Sequence, residues 1–463
     1  MQGHRFDPTV LREYDIRGIV GKTLGEAEAY AIGRTFGSMV GRENGRRICI
    51  GRDGRISSAP LADALAQGLM DAGIDVLDIG LGPTPMLYFA VHHLNADGGV
   101  MVTGSHNPPD HNGFKMMIGT RPFFGAQIQT LGHLAAAGWG DAGSGARQQC
   151  DIEETYVDRL LRDVDAGELK IAPMAVAWDP GNGAAGRIVE MLTARLPGRH
   201  ILLNAEIDGS FPNHHPDPTK PETLEQLIDC VRAEKLDLGI AFDGDGDRLG
   251  AVDGQGRIVW GDQLLAILAR DLLIDNPGAT IIADVKASQV LFDEIAQAGG
   301  QPLMWRTGHS LIKTKMAETG ALLAGEMSGH IFFADRYYGF DDAIYAAVRL
   351  LAAITRTGHS LAELRHALPK VVNTPEIRLD CPEERKFELV SEVRDRLRAR
   401  GADVLDIDGV RVNNDHGWWL LRASNTQAAL VARCESQSQA GLAALKRELT
   451  DELRASGLDP SGL

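Results

Sequence analysis

Residues 47–53 read RICIGRD, a short apolar run that ends in an aspartate and is followed by a Ser/Gly turn. The run predicts a buried β-strand, and the apolar spacing over residues 59–72 predicts an α-helix that ends at Gly73. A second strand is predicted over residues 74–79. This order of strand, aspartate, turn, helix and glycine is typical of an α/β unit.

The same plan occurs twice more along the chain. Residues 174–179, MAVAWD, lead through a glycine-rich turn into a helix predicted over residues 185–196. Residues 279–284, ATIIAD, lead into a helix predicted over residues 289–298. Because strand–turn–helix order is common, a chance repeat is the alternative to a true one. We expect three related α/β domains with mixed or mostly parallel sheets.

The repeat also predicts where ligands bind. In open α/β sheets, ligands bind beyond the carboxyl ends of the strands. The aspartates that end the three predicted strands, Asp53, Asp179 and Asp284, are therefore expected to lie at the edge that carries the functional loops.

The C-terminal part of the chain breaks the plan. A charged amphipathic helix is predicted over residues 383–400, β-like segments around 410–422 and 427–434, and a final helix over 439–455. These elements predict a smaller α+β domain. The four predicted domains, with boundaries soft by several residues, span 1–150, 151–254, 255–367 and 368–463.

Composition excludes several classes of protein. The chain has 463 residues, a net charge of −16, and 44% hydrophobic and 24% charged residues, as an ordinary soluble globular protein has. The acidic charge argues against nucleic acid or an anionic membrane as a partner, so phosphate binding would require cations gathered in one cleft. The charged N-terminus and the lack of a long apolar run predict no signal peptide and no membrane anchor. Five scattered cysteines without CxxC spacing favour a reducing cytoplasm.

Residues 103–108, TGSHNP, directly follow an apolar strand predicted over residues 98–102. A hydroxyl on a loop shaped by glycine and proline at a strand end is expected to be exposed and rigid, as a covalent phosphoryl carrier requires. Ser105 is the candidate. For this motif taken alone, an ordinary turn serine is the alternative.

Residues 243–248, DGDGDR, also follow an apolar strand. The two glycines allow the backbone to fold so that three carboxylates surround one ion, and carboxylate oxygens suit a hard cation such as Mg²⁺. An EF-hand needs Gly at its sixth position and Glu at its twelfth, where this chain has Arg248 and Gly254. A solvated acidic turn is the remaining alternative, but adjacent carboxylates repel one another without a counter-ion.

Five motifs in order make the sequence similar to a known family. They are YDIRG at 14–18, TGSHNP at 103–108, DGDGDR at 243–248, GEMSGH at 325–330 and RASNT at 422–426. Together they resemble the α-D-phosphohexomutase superfamily, most closely its bacterial phosphomannomutase/phosphoglucomutase branch, over nearly the whole chain. The resemblance implies three similar α/β domains and a smaller fourth domain around a central cleft, in agreement with the repeat.

The resemblance also implies roles for individual residues. Ser105 corresponds to the serine that carries the phosphoryl group, and the implied metal ligands are Ser105 (through a phosphoserine oxygen), Asp243, Asp245 and Asp247. Arg17 and Arg248 would border the reacting phosphate, while Lys115 and His309 match groups for proton transfer and positioning. The implied substrate-binding residues are Tyr14, Lys286, His309, Glu326, Ser328, His330, Arg422, Ser424, Asn425 and Thr426. Within that set, the last four match the site for the phosphate that is not being transferred. The chain departs from many family members at Gln427-Ala428, so contacts beyond Thr426 are not carried over.

The implied activity interconverts hexose 1-phosphates and hexose 6-phosphates of mannose and glucose. It requires Mg²⁺ and uses glucose 1,6-bisphosphate as activator and intermediate, which must reorient in the cleft. We expect hexose phosphates as partners, a cytoplasmic location, and a monomer or weak dimer.

Two other activities remain as alternatives. Phosphoglucosamine mutase uses the same machinery, but usually has Gln where this chain has Met327 and Gly where it has Asn425. A metal-dependent sugar-phosphate phosphatase would not need a separate domain for a second phosphate. A non-catalytic sugar-phosphate sensor is disfavoured because Ser105 and the acidic loop are intact.

Overall fold

The computed structural model describes residues 3–425 and 428–460, which form four β-sheets in succession. The elements of the first unit are β1 Ile16–Ile19, α1 Glu26–Arg42, β2 Arg47–Arg52, α2 Ser58–Asp71, β3 Asp75–Leu81, α3 Thr84–His93, β4 Gly98–Val102, β5 His111–Ile118, β6 Arg121–Phe123, α4 Ala126–Ala137 and β7 Arg147–Gln149. Those of the second unit are α5 Glu153–Asp165, β8 Met174–Asp179, α6 Gly186–Thr193, β9 Gly198–Leu202, a short 3-10 helix Pro221–Leu224, α7 Glu225–Glu234, β10 Leu238–Phe242, β11 Leu249–Asp253 and β12 Ile258–Val259.

The second half of the chain holds the other two units. The elements of the third are α8 Gly261–Asp275, β13 Thr280–Asp284, α9 Gln289–Gln297, β14 Gln301–Trp305, α10 His309–Thr319, β15 Leu323–Gly325, β16 Ile331–Phe333, α11 Ala343–Thr357 and α12 Leu361–His366. Those of the fourth are β17 Val372–Asn373, β18 Ile377–Asp380, α13 Lys386–Ala399, β19 Asp403–Leu405, β20 Val410–Asn414, β21 Gly417–Ala423, β22 Ala429–Ser436 and α14 Gln439–Ala455.

The first three sheets share one strand order, which confirms the repeat. The order is β5-β4-β2-β3 in the first, β11-β10-β8-β9 in the second and β16-β15-β13-β14 in the third. In each sheet the last three strands named are parallel and the first is antiparallel. The TGSHNP, DGDGDR and EMSGH loops all join the antiparallel strand to its parallel neighbour. Three equivalent positions in the repeat therefore supply three different functional loops.

Buried strands hold these loops in place. Every residue of β4 and of β10 is buried, because helices cover both faces of the sheets. One continuous apolar cluster includes Phe89, Tyr156 and Phe333 and so joins the first three units. The fourth unit is antiparallel and has a core of its own around Trp419. The first three units thus share a core, to which the fourth is added.

Most predicted elements are present, with small shifts at their ends. The final helix spans Gln439–Ala455 as predicted, whereas the helix predicted over 185–196 is only Gly186–Thr193. The β-like segment predicted around 410–422 is two strands, since the chain turns before Gly417, whose φ of 129° suits glycine. In the part of the chain that the structure describes, no helix is both long and apolar enough to span a membrane.

Candidate active site

Ser105 lies in the loop between β4 and β5, at the carboxyl end of a buried strand. Its Oγ donates a hydrogen bond to Asp243 Oδ2 at 2.8 Å, which brings the first and second units together. Ser105 is only 2% exposed, so the expectation of an exposed hydroxyl is wrong. The second unit covers the serine: a Cβ on Gly244 would lie 2.4 Å from the Ser105 carbonyl oxygen. Only glycine fits at this contact.

The DGDGDR loop gathers three fully buried carboxylates. Oxygens of Asp243, Asp245 and Asp247 lie within 4.8 Å of one another. Oδ1 of Asp245 and Oδ1 of Asp247 are buried without a hydrogen-bond partner. Unpaired buried carboxylate oxygens are costly, and an all-oxygen set fits a hard divalent cation. These residues therefore fit the metal that the sequence predicted.

The carboxyl groups of this cluster differ in how readily they ionise. Burial, reinforced by the two neighbouring carboxylates, raises the pKa of Asp243 well above its usual value. Burial also opposes ionisation of Asp245, but the ammonium of Lys115, 2.7 Å away, outweighs it and lowers the pKa of Asp245. Lys115 projects from β5 and contacts Asp247 as well. A bound dication would relieve the remaining repulsion and favour ionised Asp243.

Two arginines border Ser105 and the acidic cluster. Arg17, from β1, donates to Asn107 Oδ1 at 2.6 Å and also pairs with Asp15. Arg248 ends the DGDGDR loop and donates from Nε to Nε2 of His330 at 3.0 Å. Arg17 thus lies beside the loop that carries Ser105, and Arg248 lies beside the acidic cluster, with its Nε 4.0 Å from Asp243 Oδ2.

Two histidines of the third unit extend the site. The rings of His309 and His330 stack with centroids 5.6 Å apart. His330 Nδ1 lies 3.1 Å from Asp341 Oδ2, and Lys313 donates to the other oxygen of Asp341 at 2.8 Å. Burial and the positive charge of Lys313 lower the pKa of His309 well below its usual value. The His309 imidazole is therefore neutral at neutral pH.

The GEMSGH loop is held by the aspartate that ends β13. Asp284 Oδ1 accepts a hydrogen bond from the Met327 amide at 3.1 Å. Glu326 Oε1 accepts one from the Gly308 amide at 2.6 Å. Ser328, in the same loop, is half-buried. Lys286 donates to Glu376 Oε2 at 3.0 Å.

The fourth unit closes on the first and third through polar groups. Asn425 donates to the Tyr14 hydroxyl at 2.5 Å, and that hydroxyl donates to the Thr307 carbonyl at 2.8 Å. Arg422 donates from Nε to Asp408 Oδ2 at 3.0 Å, and the Thr307 amide donates to the same oxygen at 3.0 Å. Ser424 lies just before Asn425, and its carbonyl accepts from Lys386 at 2.6 Å. Thr426 lies outside the described residues.

The predicted residues therefore meet in one place. A chain of contacts runs from Ser105 through the acidic loop to Arg248 and His330, then by ring contacts through His309 to Tyr14, and so to Asn425. Sequence reasoning missed three carboxylates, which pair with predicted residues: Asp341 with His330, Glu376 with Lys286 and Asp408 with Arg422. The one local signal for any of them is Asp408-Gly409, a turn before β20.

Comparisons with known proteins agree with this geometry. Models of the phosphoglucomutase/phosphomannomutase alpha/beta/alpha domains I, II and III match residues 8–131, 154–256 and 260–372, and the model of the C-terminal domain matches 376–452. A phosphomannomutase/phosphoglucomutase of Pseudomonas aeruginosa is 45% identical over 447 residues, 96% of each chain. The Pseudomonas putida protein of that name is 47% identical over 439 residues, 95% of this chain and 94% of the other.

A solved structure supports the same relationship. The chain is similar to the crystal structure of a phosphoglucomutase/phosphomannomutase family protein from Burkholderia thailandensis, with a TM-score of 0.91 and 42% identity. The similarity covers 99% of both chains. It therefore includes all four units and the loops between them.

Proposed function

The chain belongs to the phosphoglucomutase/phosphomannomutase family, and we propose that it transfers a phosphoryl group between C1 and C6 of glucose and mannose phosphates with Ser105 as carrier. It is a phosphohexomutase, an intramolecular phosphotransferase. The observation that carries the proposed site is the contact between Ser105 Oγ and Asp243, at 2.8 Å. It joins a nucleophile from one unit to the acidic cluster of another.

We propose that Asp243, Asp245, Asp247 and a phosphoserine oxygen hold Mg²⁺, which when bound neutralises charge on the reacting phosphate. Arg17 and Arg248 would donate to the equatorial phosphate oxygens. Phosphoryl transfer depends mostly on such positioning and charge compensation.

Proton transfer is assigned to His309 and positioning to Lys115. Although burial opposes charge on Lys115, Asp245 and Asp247 raise the pKa of its ammonium well above the usual value, so it stays charged. The neutral imidazole of His309 can take the proton that the attacking sugar hydroxyl loses. It can return that proton to the sugar oxygen that leaves when the phosphoryl group goes back to Ser105.

The fourth unit would hold the phosphate that is not transferred. Arg422, Ser424, Asn425 and the undescribed Thr426 form the proposed site, since a guanidinium fork, hydroxyls and an amide suit a phosphate dianion. This unit has its own core. Near the proposed phosphate site it contacts Tyr14 and Thr307 through a few polar groups, whereas its Trp418 and Leu420 pack on Val285 of the third unit. Opening there would let the 1,6-bisphosphate turn end for end before the cleft closes again.

Four features remain proposals of the same kind. The domain ranges 1–150, 151–254, 255–367 and 368–463 are supported by four sheets whose strands lie within 16–149, 174–259, 280–333 and 372–436, except that β12 of the second sheet lies beyond the boundary at 254. Glucose 1,6-bisphosphate is proposed as activator and intermediate. The location is proposed to be cytoplasmic. The chain is proposed to act as a monomer or weak dimer.

We expect dual specificity for glucose and mannose phosphates, which differ only in the C2 hydroxyl. Glu326 and Ser328 are proposed to hold O3 and O4, and turning the sugar end for end roughly exchanges these two atoms. The values of kcat/KM for glucose 1-phosphate and mannose 1-phosphate should agree within about tenfold, because the proposed site makes no contact with O2. A site that hydrogen-bonded O2 would prefer one of the two sugars by about 10⁴-fold. Glucosamine 1-phosphate should be clearly worse, and galactose 1-phosphate, the C4 epimer, strongly rejected.

A side-by-side assay of these four compounds tests both specificity and reaction type. Product hexose 6-phosphate and free inorganic phosphate should be measured in the same samples. Stoichiometric phosphate release would support the phosphatase instead, and preference for glucosamine 1-phosphate would support phosphoglucosamine mutase. A glucose/mannose ratio beyond about 10³, or good turnover of the galactose compound, would contradict the proposed reading of O3 and O4.

Arg422→Ala should raise KM and also lower kcat. Loss of a charge-assisted contact to phosphate costs about 1.5–3 kcal/mol, which corresponds to about 10–150-fold in kcat/KM. The effect on kcat follows because remote binding energy helps to close the cleft. Steady-state kinetics with glucose 1-phosphate measure both KM and kcat. Arg398→Ala is the matched control, because Arg398 is an exposed arginine of the same unit that pairs with Asp406. If kcat/KM falls by less than about threefold, Arg422 is not part of the phosphate site.

A further inference from the structure

Arg55 lies buried beneath the loop that carries Ser105, and only 2% of the residue is exposed. We propose that Arg55 is a positioning residue for the phosphoryl carrier: it fixes the backbone of residues 105–111 so that Ser105 is aimed at the acidic cluster. The inference rests on the proposed role of Ser105. It adds a residue that contacts Ser105 only at the backbone carbonyl and, within the described residues, makes no hydrogen bond to Asp243, Asp245 or Asp247.

The guanidinium of Arg55 binds four backbone carbonyls of this loop. Nη2 donates to the carbonyls of Ser105, at 2.7 Å, and Asn107, at 2.6 Å. Nη1 donates to those of Pro108, at 2.6 Å, and His111, at 3.0 Å. The four terminal N–H groups of an arginine match these four acceptors in number. One side chain thus determines where the loop turns.

The loop needs such a partner because its carbonyls point inward. Buried carbonyl groups without donors would cost free energy, and like dipoles that point at one spot repel. Ser105 also has a φ of +48°, a conformation that non-glycine residues rarely adopt. Surrounding contacts must hold a residue in such a conformation. The bonds from Arg55 to the carbonyls on both sides of His106 supply this restraint.

Gly104 lies directly against the guanidinium of Arg55. A Cβ at this position would lie 2.5 Å from Cζ and 2.5 Å from Nε of Arg55. No real side chain fits at that distance. The glycine of the TGSHNP motif is therefore required by contact with the buried guanidinium.

Asp53 complements Arg55 by binding the amide and hydroxyl donors of the loop. Its Oδ2 accepts from Thr103 Oγ1 at 2.8 Å and from the Gly104 amide at 3.0 Å. Thr103 Oγ1 in turn accepts from the Ser105 amide at 2.8 Å. Asp53 Oδ2 also lies 3.3 Å from Nε of Arg55, so the two side chains form an ion pair. The hydrogen-bond donors of the loop thus bind the Asp53 carboxylate, and its carbonyl acceptors bind the Arg55 guanidinium.

The second unit packs on the other side of Arg55. The ring of Phe211 lies 5.2 Å from the guanidinium carbon, as a cation–π contact. A Cβ on Gly209 would lie 2.5 Å from Arg55 Cα. From the same segment, His215 contacts the carbonyl of His106. Arg55 therefore also sets how the second unit, with its acidic loop, is seated on Ser105.

Arg55→Lys tests the inference, since lysine keeps the charge but its single ammonium cannot bind four carbonyls in a planar fork. A misplacement of about 1 Å can cost about 100-fold in rate. We expect the rate at which glucose 1,6-bisphosphate phosphorylates Ser105 to fall by about that factor, as measured by quenched flow and intact mass. KM for glucose 1-phosphate should change less than about threefold. Arg52→Lys is the matched control, because within the described residues no hydrogen bond joins the Arg52 guanidinium to this loop.

A purely structural role would give a different result. It would lower the melting temperature and the folded fraction but leave the loading rate of folded protein unchanged, and that outcome would overturn the proposal. If Arg55→Lys does not fold, Gly104→Ala takes its place, because the added methyl group displaces Arg55. Normal loading in Gly104→Ala would also overturn the proposal. Failure of the wild-type chain to become phosphorylated on Ser105 would instead refute the proposed function.

Discussion

Replacement of Ser105 with alanine is expected to lower kcat by about 10⁴-fold or more, because the variant has no oxygen to which the phosphoryl group can be transferred. The fold should be retained. Ser105 Oγ donates to Asp243 Oδ2 and lies 3.1 Å from His106 Nδ1, and alanine is smaller than serine. KM for glucose 1-phosphate should change far less than kcat, since the proposed substrate-binding residues do not include Ser105 and all but Tyr14 lie on other units.

Two measurements check this result. After incubation with glucose 1,6-bisphosphate, intact mass should show one added phosphoryl group on wild-type protein and none on Ser105→Ala. Steady-state kinetics should be run with the bisphosphate present, so that slow self-activation is not mistaken for loss of catalysis. Near-normal turnover of Ser105→Ala under these conditions would falsify an obligatory phosphoserine.

Removal of the metal is expected to have an effect of similar size. Excess EDTA should abolish turnover, and Mg²⁺ should restore it, because the metal compensates charge that three carboxylates and a phosphate would otherwise leave unbalanced. Asp245→Asn should lower kcat by about 10³-fold or more and should not be restored by Mg²⁺ at ordinary concentrations. The amide also loses the ion pair with Lys115, which is 2.7 Å from Asp245 in the wild type.

The control for this experiment comes from the same unit. Asp229 is an exposed aspartate on α7, so Asp229→Asn makes the same chemical change away from the cluster and should retain full activity. Metal binding can be followed directly by calorimetry with Mg²⁺ on the phosphorylated protein. Full activity of the wild type in excess EDTA would contradict the metal assignment.

Most of the fold could be predicted from the sequence because each copy of the repeat is marked by short local patterns. Short apolar runs ended by Asp53, Asp179 and Asp284 mark the strands, and glycines mark the turns. The final helix is predicted to the residue, since Ser438 caps it by accepting from the Gly441 amide. Each of these signals lies within a few residues of the structure that it specifies.

Features that depend on distant parts of the chain could not be predicted. The burial of Ser105 results from the DGDGDR loop of the second unit, where Asp243 is 138 positions from the serine, so no local sequence signal around Ser105 reveals it. Glu376 pairs with Lys286 across 90 positions, so no spacing rule reveals it. Arg55 is only two residues from Asp53, but its partners are backbone carbonyls, which carry no sequence signature.

The carboxylate partners of the cleft have one more consequence. Arg17 and Arg422 are proposed to meet phosphate, yet each is already paired with a carboxylate of the chain. Phosphate entering the cleft therefore competes with anions that are covalently attached, as in an ion-exchange resin loaded with a weak counter-ion. Such a resin retains multivalent ions and passes monovalent ones such as chloride. If the proposed phosphate contacts are right, we expect the cleft to favour doubly charged phosphate esters over monovalent anions.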